Sequence, residues 1–398
     1  MKNLNNLILC NISGNELPKE LNDDVQLVQT YTKILEIFEQ VHFIGRTSNF
    51  NSCTIKHPTK QIFVHHVKVP NSKFGRTCIA VFRLYFTSIS LKKKLKIKYF
   101  IASDPTIGGL TCTLLNIFNN IKFIQEIQAE MTRISPKIFG IYKAWGFKFI
   151  TLLVCRFATK IRAVSNKVKE QLIEDGVNHK KIKVVTSRVN VEKFNLTLYP
   201  DANLELKNKF RMKEKENLFI FIGRLVPSKG ISFLLTSLKH FKKQPYKLLI
   251  VGDGPLRESL KTKCVENNIQ DKVIFCGAVD YHEVPYYIAA ADLIIMPSTD
   301  EGFPRVMLEA MAMKKLVAAS LVGGVLDIAK NEVNGYYFES QNPDAILETL
   351  NKIYSKDNIC INQNMVENAY QEVIQNYSFE VVMEKYNQMF VEYISMLN

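Results

Sequence analysis

Residues 292–309 read D-L-I-I-M-P-S-T-D-E-G-F-P-R-V-M-L-E, and they decide the fold class of this 398-residue chain. The apolar run Leu293–Met296 is typical of a buried parallel strand, and Pro297 and Gly302 end it before a helix can start. Pro304 then fits the first turn of a helix, because its φ is preset and it has no N–H to lose. A strand that leads through a loop into a helix is the repeating unit of an α/β fold, in which ligands bind in the loop after the strand.

Two carboxylates in this stretch, Glu301 and Glu309, are separated by seven residues. Glu301 precedes the predicted helix and Glu309 lies about a turn and a half inside it, so both can point into one crevice. An ionised carboxylate only accepts hydrogen bonds, and its two oxygens match the two hydroxyls of a vicinal diol. The pair therefore predicts a site that grips a nucleotide-sugar at two points. A solvated loop glutamate followed by an ordinary helix glutamate would give the same spacing, so other motifs must decide.

A second stretch supplies two cations. Residues 218–230 read L-F-I-F-I-G-R-L-V-P-S-K-G, an apolar strand that runs into Gly223 and Arg224 and then into Lys229. The Arg guanidinium can fork onto phosphate oxygens, whereas the Lys ammonium is a compact point charge. Together they suit a diphosphate leaving group, whose negative charge grows as a glycosidic bond breaks. Two surface cations beside a turn are the alternative interpretation.

The elements around these stretches alternate between strand and helix. Strands are predicted at Lys247–Val251 and Val273–Cys276, and a helical stretch at Val284–Ala291 precedes the strand quoted first. Such alternation, which extends from Leu218 to Phe338, predicts a doubly wound parallel sheet with crossover helices.

Four motifs, in this order, resemble those of one family: G-R-L-V-P-S-K-G, V-G-D-G-P, F-C-G-A-V and E-G-F-P-R-V-M-L-E-A-M-A. They are similar to the motifs of the GT4-type retaining glycosyltransferases, which belong to glycosyltransferase group 1. The resemblance implies a GT-B fold, an α/β architecture of two Rossmann-like doubly wound domains facing a central cleft. It also implies an enzyme with no cofactor and no metal ion, in which cations of the protein stand where an ion otherwise would.

The resemblance further implies a role for each motif residue. Arg224 and Lys229 would hold the donor diphosphate, Glu301 would lie beside the donor sugar, and Glu309 would bind the ribose hydroxyls. The first three of these residues are the catalytic candidates. Backbone that contacts the sugar and a turn that lines the base pocket complete the predicted site. The predicted donor-binding residues are Gly223, Arg224, Lys229, Val279, Glu301, Gly302, Phe303 and Glu309.

The N-terminal half resembles the family more loosely. Tyr99–Gly109 looks like a family strand with its following loop, and Ile161–Phe194 is similar to the segment that closes the first domain. Gln128 stands where the family usually has a His, and because Gln cannot titrate, its role would be a hydrogen bond to a sugar hydroxyl. For Glu126 and Glu130, a position on the surface of a loop is an equal alternative to a role in the site.

Chains of this length usually form more than one domain. The polar stretch Asn195–Glu216 predicts the junction. We therefore expect an acceptor-binding Rossmann-like domain at 1–195 and a nucleotide-sugar-binding Rossmann-like domain at 196–377. Apolar residues with helical spacing in 378–398 predict a C-terminal helix that crosses back to the first domain.

Much of the net charge of +14 comes from one acid-free region, Gln40–Ser103, whose basic residues include Lys92, Lys93 and Lys94. Apolar residues between the cations predict a basic amphipathic surface that suits an anionic membrane leaflet, at about 1 kcal/mol per Lys or Arg near it. A solvated basic face is the alternative interpretation. Nucleic-acid phosphates would need the same cations, but no nucleic-acid module is recognisable, so no nucleic-acid partner is expected.

Nothing near Met1 reads as a secretory signal, so we expect a cytoplasmic protein that associates peripherally with the inner membrane. The eight Cys residues include no C-x-x-C pair, which favours reduced thiols over a disulfide frame or a zinc site. The most apolar window, Phe147–Ala158, is interrupted by charges and is shorter than the roughly 20 residues of a spanning helix.

The sequence therefore predicts a retaining hexosyltransferase. Its donor would be a nucleotide-diphosphate sugar, UDP in preference to GDP, and its acceptor a glycan or a polyprenyl-diphosphate-linked glycan. The product would belong to a cell-surface polysaccharide, a lipopolysaccharide or an oligosaccharide. A non-catalytic GT-B subunit that binds a nucleotide-sugar or a partner glycosyltransferase is the alternative, and a nucleotide-sugar epimerase is disfavoured by the order of the motifs.

Overall fold

The computed structural model describes residues 7–18, 20–22, 26–47, 51–70, 76–129, 141–355 and 359–397. Glu130, for which a loop surface was one alternative, lies outside these ranges. The chain divides into two compact units. The first contains Met1–Val185 with Met383–Asn398, and the second contains Thr186–Val382.

The boundary between the units follows residue 185, whereas the sequence predicted a boundary after residue 195. Residues 186–195 belong to the second unit because they pack within it. Val189 forms a parallel bridge with Ser378, and the buried ring of Phe194 lies 6.1 Å from the ring of Tyr281. The C-terminal helix begins in the second unit, and its residues from Met383 onward belong to the first.

The first unit is built on a sheet of mostly parallel strands. The strands are β1 (Ile8–Glu16), β2 (Gln40–Thr47), β3 (Cys53–Lys56), β4 (Ile62–Lys68), β5 (Tyr99–Ala102), β6 (Phe123–Ile127), β7 (Lys160–Ala163) and β8 (Ile182–Val184). Their order across the sheet is β3-β4-β2-β1-β5-β6-β7-β8. Only the edge pair β3 and β4 is antiparallel among these described strands.

Crossover helices cover this first sheet. The helices are α1 (Gln26–Ile34), α2 (Arg76–Leu95), α3 (Ile107–Asn119), α4 (Ile141–Phe157) and α5 (Asn166–Glu174). Helix α3 packs against both α2 and α4, so these three helices lie side by side. The Tyr85 hydroxyl donates a hydrogen bond to Asn119 Oδ1 at 2.9 Å, which joins the middle of α2 to the end of α3.

The second unit is built on a parallel sheet. Its strands are β9 (Asn217–Ile222), β10 (Tyr246–Val251), β11 (Val273–Gly277), β12 (Leu293–Met296), β13 (Val317–Ser320) and β14 (Tyr336–Phe338). Their order is β11-β10-β9-β12-β13-β14, and every neighbouring pair is parallel. The helices that belong to this part of the chain are α6 (Ala202–Lys209), α7 (Ile231–Leu238), α8 (Arg257–Glu266), α9 (Val284–Ala290), α10 (Arg305–Ala312), α11 (Pro343–Ile353), α12 (Ile359–Asn376) and α13 (Phe379–Ser395).

The strand order of the second unit reverses between β9 and β12. The chain first winds outward from β9 through β10 to β11, and then returns to the other side of β9 with β12. At such a reversal the loops after the two central strands separate and leave a crevice at the carboxyl ends of the strands. Lys229 follows β9 and Glu301 follows β12, so the topology brings the two motif loops to the same crevice.

The predicted elements of the second unit agree with the observed ones, and the strand predicted at Leu293–Met296 is β12. Pro304 differs slightly from its prediction, because α10 begins one residue later at Arg305. The Pro304 ψ of 80° is not helical, and its carbonyl accepts the N–H groups of Met307 and Leu308 at 3.1 and 3.3 Å. Pro304 therefore caps the helix and does not form part of its first turn.

Glu126 is not a surface residue of a loop, which was one of the two alternatives left open by the sequence. It lies on β6 and is 5% exposed. Its Oε1 accepts a hydrogen bond from Arg162 Nη1 at 3.0 Å and another from the Tyr386 hydroxyl. A buried carboxylate is stable only when it is paired and hydrogen-bonded, and Arg162 and Tyr386 supply both kinds of partner.

Candidate functional site

The predicted diphosphate lysine and the predicted sugar-side carboxylate are in direct contact. Lys229 ends a short turn, Pro227–Lys229, that follows β9, and its Nζ forms an ion pair with Glu301 Oε1. The Ser298 hydroxyl donates to the same carboxylate oxygen at 3.0 Å. The Glu301 side chain is 10% exposed and that of Lys229 is 26% exposed, so the pair can be reached by a ligand.

A cavity of about 190 Å³ opens beside this ion pair, at the carboxyl ends of β9 and β12. Ser298, Glu301 and Phe303 line it from the loop after β12, and Lys229 lines it from the loop after β9. The cavity therefore combines a cation, a carboxylate, a hydroxyl and an aromatic ring, which are groups that can bind a charged or hydroxylated ligand. Its other lining residues are Phe221, Ile222, Met296, Arg305 and Val306.

Two glycines allow the loops around the ion pair to approach each other. Gly230 has a φ of +62°, and a Cβ there would overlap the carbonyl oxygen of Pro297. Gly323 has a φ of +49°, and a Cβ there would overlap the carbonyl oxygen of Glu301. That same Glu301 oxygen accepts the N–H of Gly324 at 3.0 Å. The glycine pair after β13 therefore supports the backbone of the Glu301 loop, and only glycine fits this geometry.

Sequence reasoning missed the contribution of Gly323 and Gly324. The available signal was a Gly-Gly pair shortly after a short apolar run, which is the same pattern that marked the other two strand ends.

Arg224 is exposed and lies immediately after Gly223, in the loop that follows β9. Within the ranges that the structure describes, its guanidinium makes no hydrogen bond or ion pair with the protein. It is not among the residues that line the cavity beside Lys229. The loop is held by Gly223, whose N–H donates to the Val251 carbonyl at 2.9 Å. Arg224 is therefore available to a ligand, but the structure does not place it against Lys229.

Glu309 is buried in the middle of α10 and is 4% exposed. The Tyr281 hydroxyl donates a hydrogen bond to Glu309 Oε1 at 2.9 Å. Burial raises the pKa of Glu309 to about 7, although Arg305, the Tyr281 hydrogen bond and Lys193 act in the opposite direction. The raised pKa brings the ionisation of this carboxyl toward neutral pH. Glu309 does not line the cavity beside Glu301.

Tyr281 is a site residue that sequence reasoning missed. It lies two residues after Val279, in the loop that follows β11. Arg305 Nη2 lies 3.4 Å from its hydroxyl, and Lys193 Nζ lies 4.1 Å from its ring centroid. The pKa of Tyr281 is raised by burial and by Glu309, so the hydroxyl remains a donor at neutral pH. The structure thus connects the Val279 turn to Glu309 through Tyr281.

In the first unit, Gln128 is exposed, and its Nε2 donates to Glu126 Oε2 at 3.2 Å and to the Ser103 carbonyl at 3.5 Å. Its role as a substitute for a His stays a prediction.

The three lysines predicted to contact a membrane lie near the end of α2. Lys93 and Lys94 are exposed, and Lys92 is half-buried.

The chain matches the family of glycosyl transferases group 1 over residues 203–372, the segment that contains the cavity, the ion pair and Glu309. This segment is therefore similar to the group 1 glycosyltransferases. An uncharacterized glycosyltransferase of Methanocaldococcus jannaschii is 29% identical over 228 residues, which is 57% of this chain and 58% of that protein. The UDP-Gal:alpha-D-GlcNAc-diphosphoundecaprenol alpha-1,3-galactosyltransferase of Escherichia coli is 24% identical over 62% of this chain and 64% of its own length. The chain thus spans between half and two thirds of the length of these curated relatives.

Solved structures resemble the chain over nearly its whole length. A sucrose-phosphate synthase from Thermosynechococcus elongatus matches with a TM-score of 0.81 and 18% identity, covering 98% of this chain and 100% of the other. Anabaena HepE, in complex with UDP and glucose, matches with a TM-score of 0.77 and 16% identity over the same shares. These similarities confirm the predicted GT-B fold. Residues 203–372 match the group 1 family predicted from the motifs, and membership of the GT4 subgroup stays a prediction.

Proposed function

We propose that the chain is a retaining glycosyltransferase that moves a hexosyl unit from a nucleotide-diphosphate sugar to a glycan or lipid-linked glycan. The observation that carries this proposal is the Lys229–Glu301 pair beside a cavity at the strand reversal of a group 1 domain. A cation and a carboxylate at one point of a crevice suit a ligand that has both a diphosphate and sugar hydroxyls.

In the proposed reaction, the diphosphate of the donor takes the position beside Lys229 and Arg224. The bond between the anomeric carbon and the diphosphate oxygen breaks, and the acceptor hydroxyl oxygen forms the new bond on the same face of the sugar. The acceptor proton passes to the leaving diphosphate oxygen. Lys229 and Arg224 stabilise the charge that develops on the diphosphate, which is the kind of contribution worth about 100-fold or more in rate.

Glu301 is proposed to accept hydrogen bonds from the hexosyl unit once Lys229 has turned to the diphosphate. The backbone at Gly302 and the ring of Phe303 then contact the sugar, because they follow Glu301 in the same loop. The Ser298 hydroxyl keeps the carboxylate oriented during this exchange of partners. No residue acts as a nucleophile in this mechanism, and the reaction is proposed to need no metal ion.

Glu309 is proposed to hold the ribose hydroxyls. Its Oε1 accepts the Tyr281 hydroxyl at 2.9 Å. The ionised carboxylate offers two accepting oxygens to a diol, whereas the protonated group carries an O–H that donates. The raised pKa, about 7, brings this ionisation close to neutral pH. Tyr281 and Val279 belong to one loop, so the base pocket and the ribose contact are proposed to form together.

The donor is proposed to be a UDP-sugar in preference to a GDP-sugar. Two of the compared proteins favour this choice, since the Escherichia coli relative is named for UDP-Gal and Anabaena HepE binds UDP and glucose. The relative's name also specifies a diphosphoundecaprenol-linked acceptor. By analogy, we propose a polyprenyl-diphosphate-linked acceptor and a role in cell-surface polysaccharide or lipopolysaccharide assembly.

We also propose that the protein works on the cytoplasmic face of the inner membrane. No helix among the described residues is both long and apolar enough to cross a bilayer. Lys93 and Lys94 are exposed on α2, a helix that contains no acidic residue, so this helix suits an anionic surface.

The test is saturation-transfer NMR on the purified protein with UDP-, GDP- and ADP-sugars, with Glu309→Ala as the site control. One preferred donor, lost in Glu309→Ala, is the expected result. Absence of binding to every donor would refute the transferase proposal and favour the non-catalytic subunit. Exposed Glu258, on α8, provides a matched control, and Glu258→Ala should retain donor binding.

A further inference from the structure

Helix α4 presents three aromatic side chains to solvent along one stripe. Tyr142, Trp145 and Phe149 are 91%, 72% and 68% exposed. Their spacing of three and four residues places them on one face of the helix. The opposite face is buried through residues such as Ala144 and Thr151. Large exposed aromatic residues in such a row mark a contact surface, because soluble proteins rarely expose them together.

The neighbouring helices extend this apolar character. Phe82 and Phe86 on α2 are 57% and 66% exposed, and Ile117 and Phe118 at the end of α3 are 51% and 68% exposed. Since α2, α3 and α4 lie side by side, these residues belong to the outer side of one helical layer. The layer is a broad surface rather than a groove that fits one peptide.

The charge of this helical layer has one sign. Helices α2, α3 and α4 contain no Asp or Glu, whereas α2 and α4 contain Lys or Arg. On α4, Lys143 is exposed next to the aromatic stripe, while Lys148 forms an ion pair with Asp175 on the side toward α5. A surface of aromatic residues and unopposed cations is complementary to an anionic, partly apolar surface.

The stripe lies at the carboxyl end of the first sheet. Helices α3 and α4 are consecutive crossover helices of parallel strands, so they run in the same direction. A Cβ at Gly109 would lie 2.8 Å from Val154 Cγ1, so the third residue of α3 lies against the fourteenth residue of α4. At 1.5 Å per residue, α4 extends about 16 Å further than α3 at its N-terminal end. Tyr142 and Trp145 lie in this extension.

We propose that the aromatic stripe of α4 enters the interface of an anionic lipid bilayer. Trp and Tyr favour the boundary between headgroups and acyl chains, because their rings are apolar and their N–H or O–H groups stay hydrated. Lys143 and the cations of α2 hold the anionic headgroups nearby. Because the stripe lies at the carboxyl-end edge of the sheet, where an α/β domain binds its ligand, docking would keep this edge close to the bilayer from which a lipid-linked acceptor would come. This last consequence rests on the proposed function.

Trp145 is the only tryptophan in the chain, so its fluorescence reports the environment of the stripe alone. The experiment adds vesicles of phosphatidylglycerol and phosphatidylcholine, some with brominated acyl chains, to the full chain. The expected result is a shift of the emission to shorter wavelength and quenching by the brominated lipid. Vesicles of phosphatidylcholine alone should produce a smaller effect, because they lack the anionic headgroups.

Phe149→Ser keeps the reporter and should weaken partitioning by about 10-fold, as expected when one buried aromatic contact is lost. Leu204→Ser is the matched control, since Leu204 is 61% exposed on α6 in the other unit, and it should partition like wild type. Vesicle binding with unchanged, unquenched Trp145 emission would overturn the proposal. So would equal partitioning of Phe149→Ser.

A second copy of this chain is the competing occupant of the stripe. Sedimentation velocity without lipid distinguishes it: self-association abolished by Phe149→Ser, without a lipid-dependent emission shift, would overturn the bilayer proposal. Donor binding is measured by NMR on the same samples. If the emission shift is present and no donor binds, the membrane contact is supported and the transferase proposal fails.

Discussion

Replacing Glu309 by Gln tests whether a buried, ionisable carboxyl lies in the donor site. The substitution keeps the size of the side chain and an oxygen that can accept the Tyr281 hydroxyl, but removes the charge. In the folded protein the pKa of Glu309 is raised from 4.5 to about 7 because of burial. The folded state therefore holds a proton that the unfolded chain releases, and the stability from this group is present at low pH and lost as the pH rises through 7.

The size of the effect follows from the shift. A change of about 2.5 pKa units corresponds to about 3 kcal/mol between pH values well below 4.5 and well above 7. Glu309→Gln has no ionisable carboxyl at this position, so its free energy of unfolding does not show this decrease with pH. The melting temperature of Glu309→Gln minus that of wild type should therefore be roughly 6 to 12 °C larger at pH 8.5 than at pH 4. This range assumes about 2 to 4 °C per kcal/mol for a unit of this size. The added amide N–H₂ changes stability equally at both pH values, so the difference between them is the informative quantity.

The assay is a thermal melt of both proteins at the two pH values, with Glu258→Gln as the control. Glu258 lies on α8, and its side chain is 79% exposed in an ion pair with Lys261. Its replacement should give nearly the same change at both pH values. The same Glu309→Gln variant should bind the donor about 10- to 150-fold more weakly at pH 8, the range for a lost charge-assisted hydrogen bond. A Glu309→Gln stability difference that is independent of pH would refute the buried-carboxyl argument.

Three further outcomes can be checked. Lys229→Ala should lower turnover by about 100-fold or more. The control Lys239→Ala, at an exposed lysine that follows α7, should not lower it. If Lys229→Ala keeps activity within a few-fold of wild type, Lys229 does not bind the diphosphate. Gly323→Ala should abolish donor binding in NMR titrations because its Cβ overlaps the Glu301 loop. Gly176→Ala, also at a positive φ but with no neighbour within 4 Å, should retain it, and equal binding by both variants would contradict the supporting role of Gly323. Replacing the lysines at 92–94 by Gln should reduce sedimentation with anionic vesicles and leave donor binding unchanged, and undiminished sedimentation would favour a solvated face.

The predictions that came true rest on local patterns. Buried apolar runs ended by glycine or proline located β9 and β12. The residues at the ends of these strands were identifiable for the same reason. Their mutual contact was not, because the pairing of Lys229 with Glu301 depends on β9 and β12 becoming neighbours across 72 residues of sequence.

The errors and omissions concern partners that are distant in sequence. A loop position for Glu126 was left open because polar side chains surround it, but its burial is permitted by Arg162, 36 residues away, and Tyr386, 260 residues away. Tyr281 meets Glu309 only through the packing of the loop after β11 against α10. The exposed stripe of α4 escaped notice for a related reason. The apolar run 147–158 resembles a core helix, and only the neighbouring helices decide which face remains in water.

The ion pair between Lys229 and Glu301 has a consequence for selectivity. Glu301 is paired with Lys229, so an anion that binds this lysine must compete with the Glu301 carboxylate. A simple phosphate can displace Glu301 but offers the released carboxylate nothing in return. A sugar diphosphate supplies an anion for Lys229 and hydroxyls for Glu301 in the same molecule. Under the proposed function, the pair would thus discriminate by requiring an exchange of both partners, which a ligand that carries only one of the two groups cannot complete.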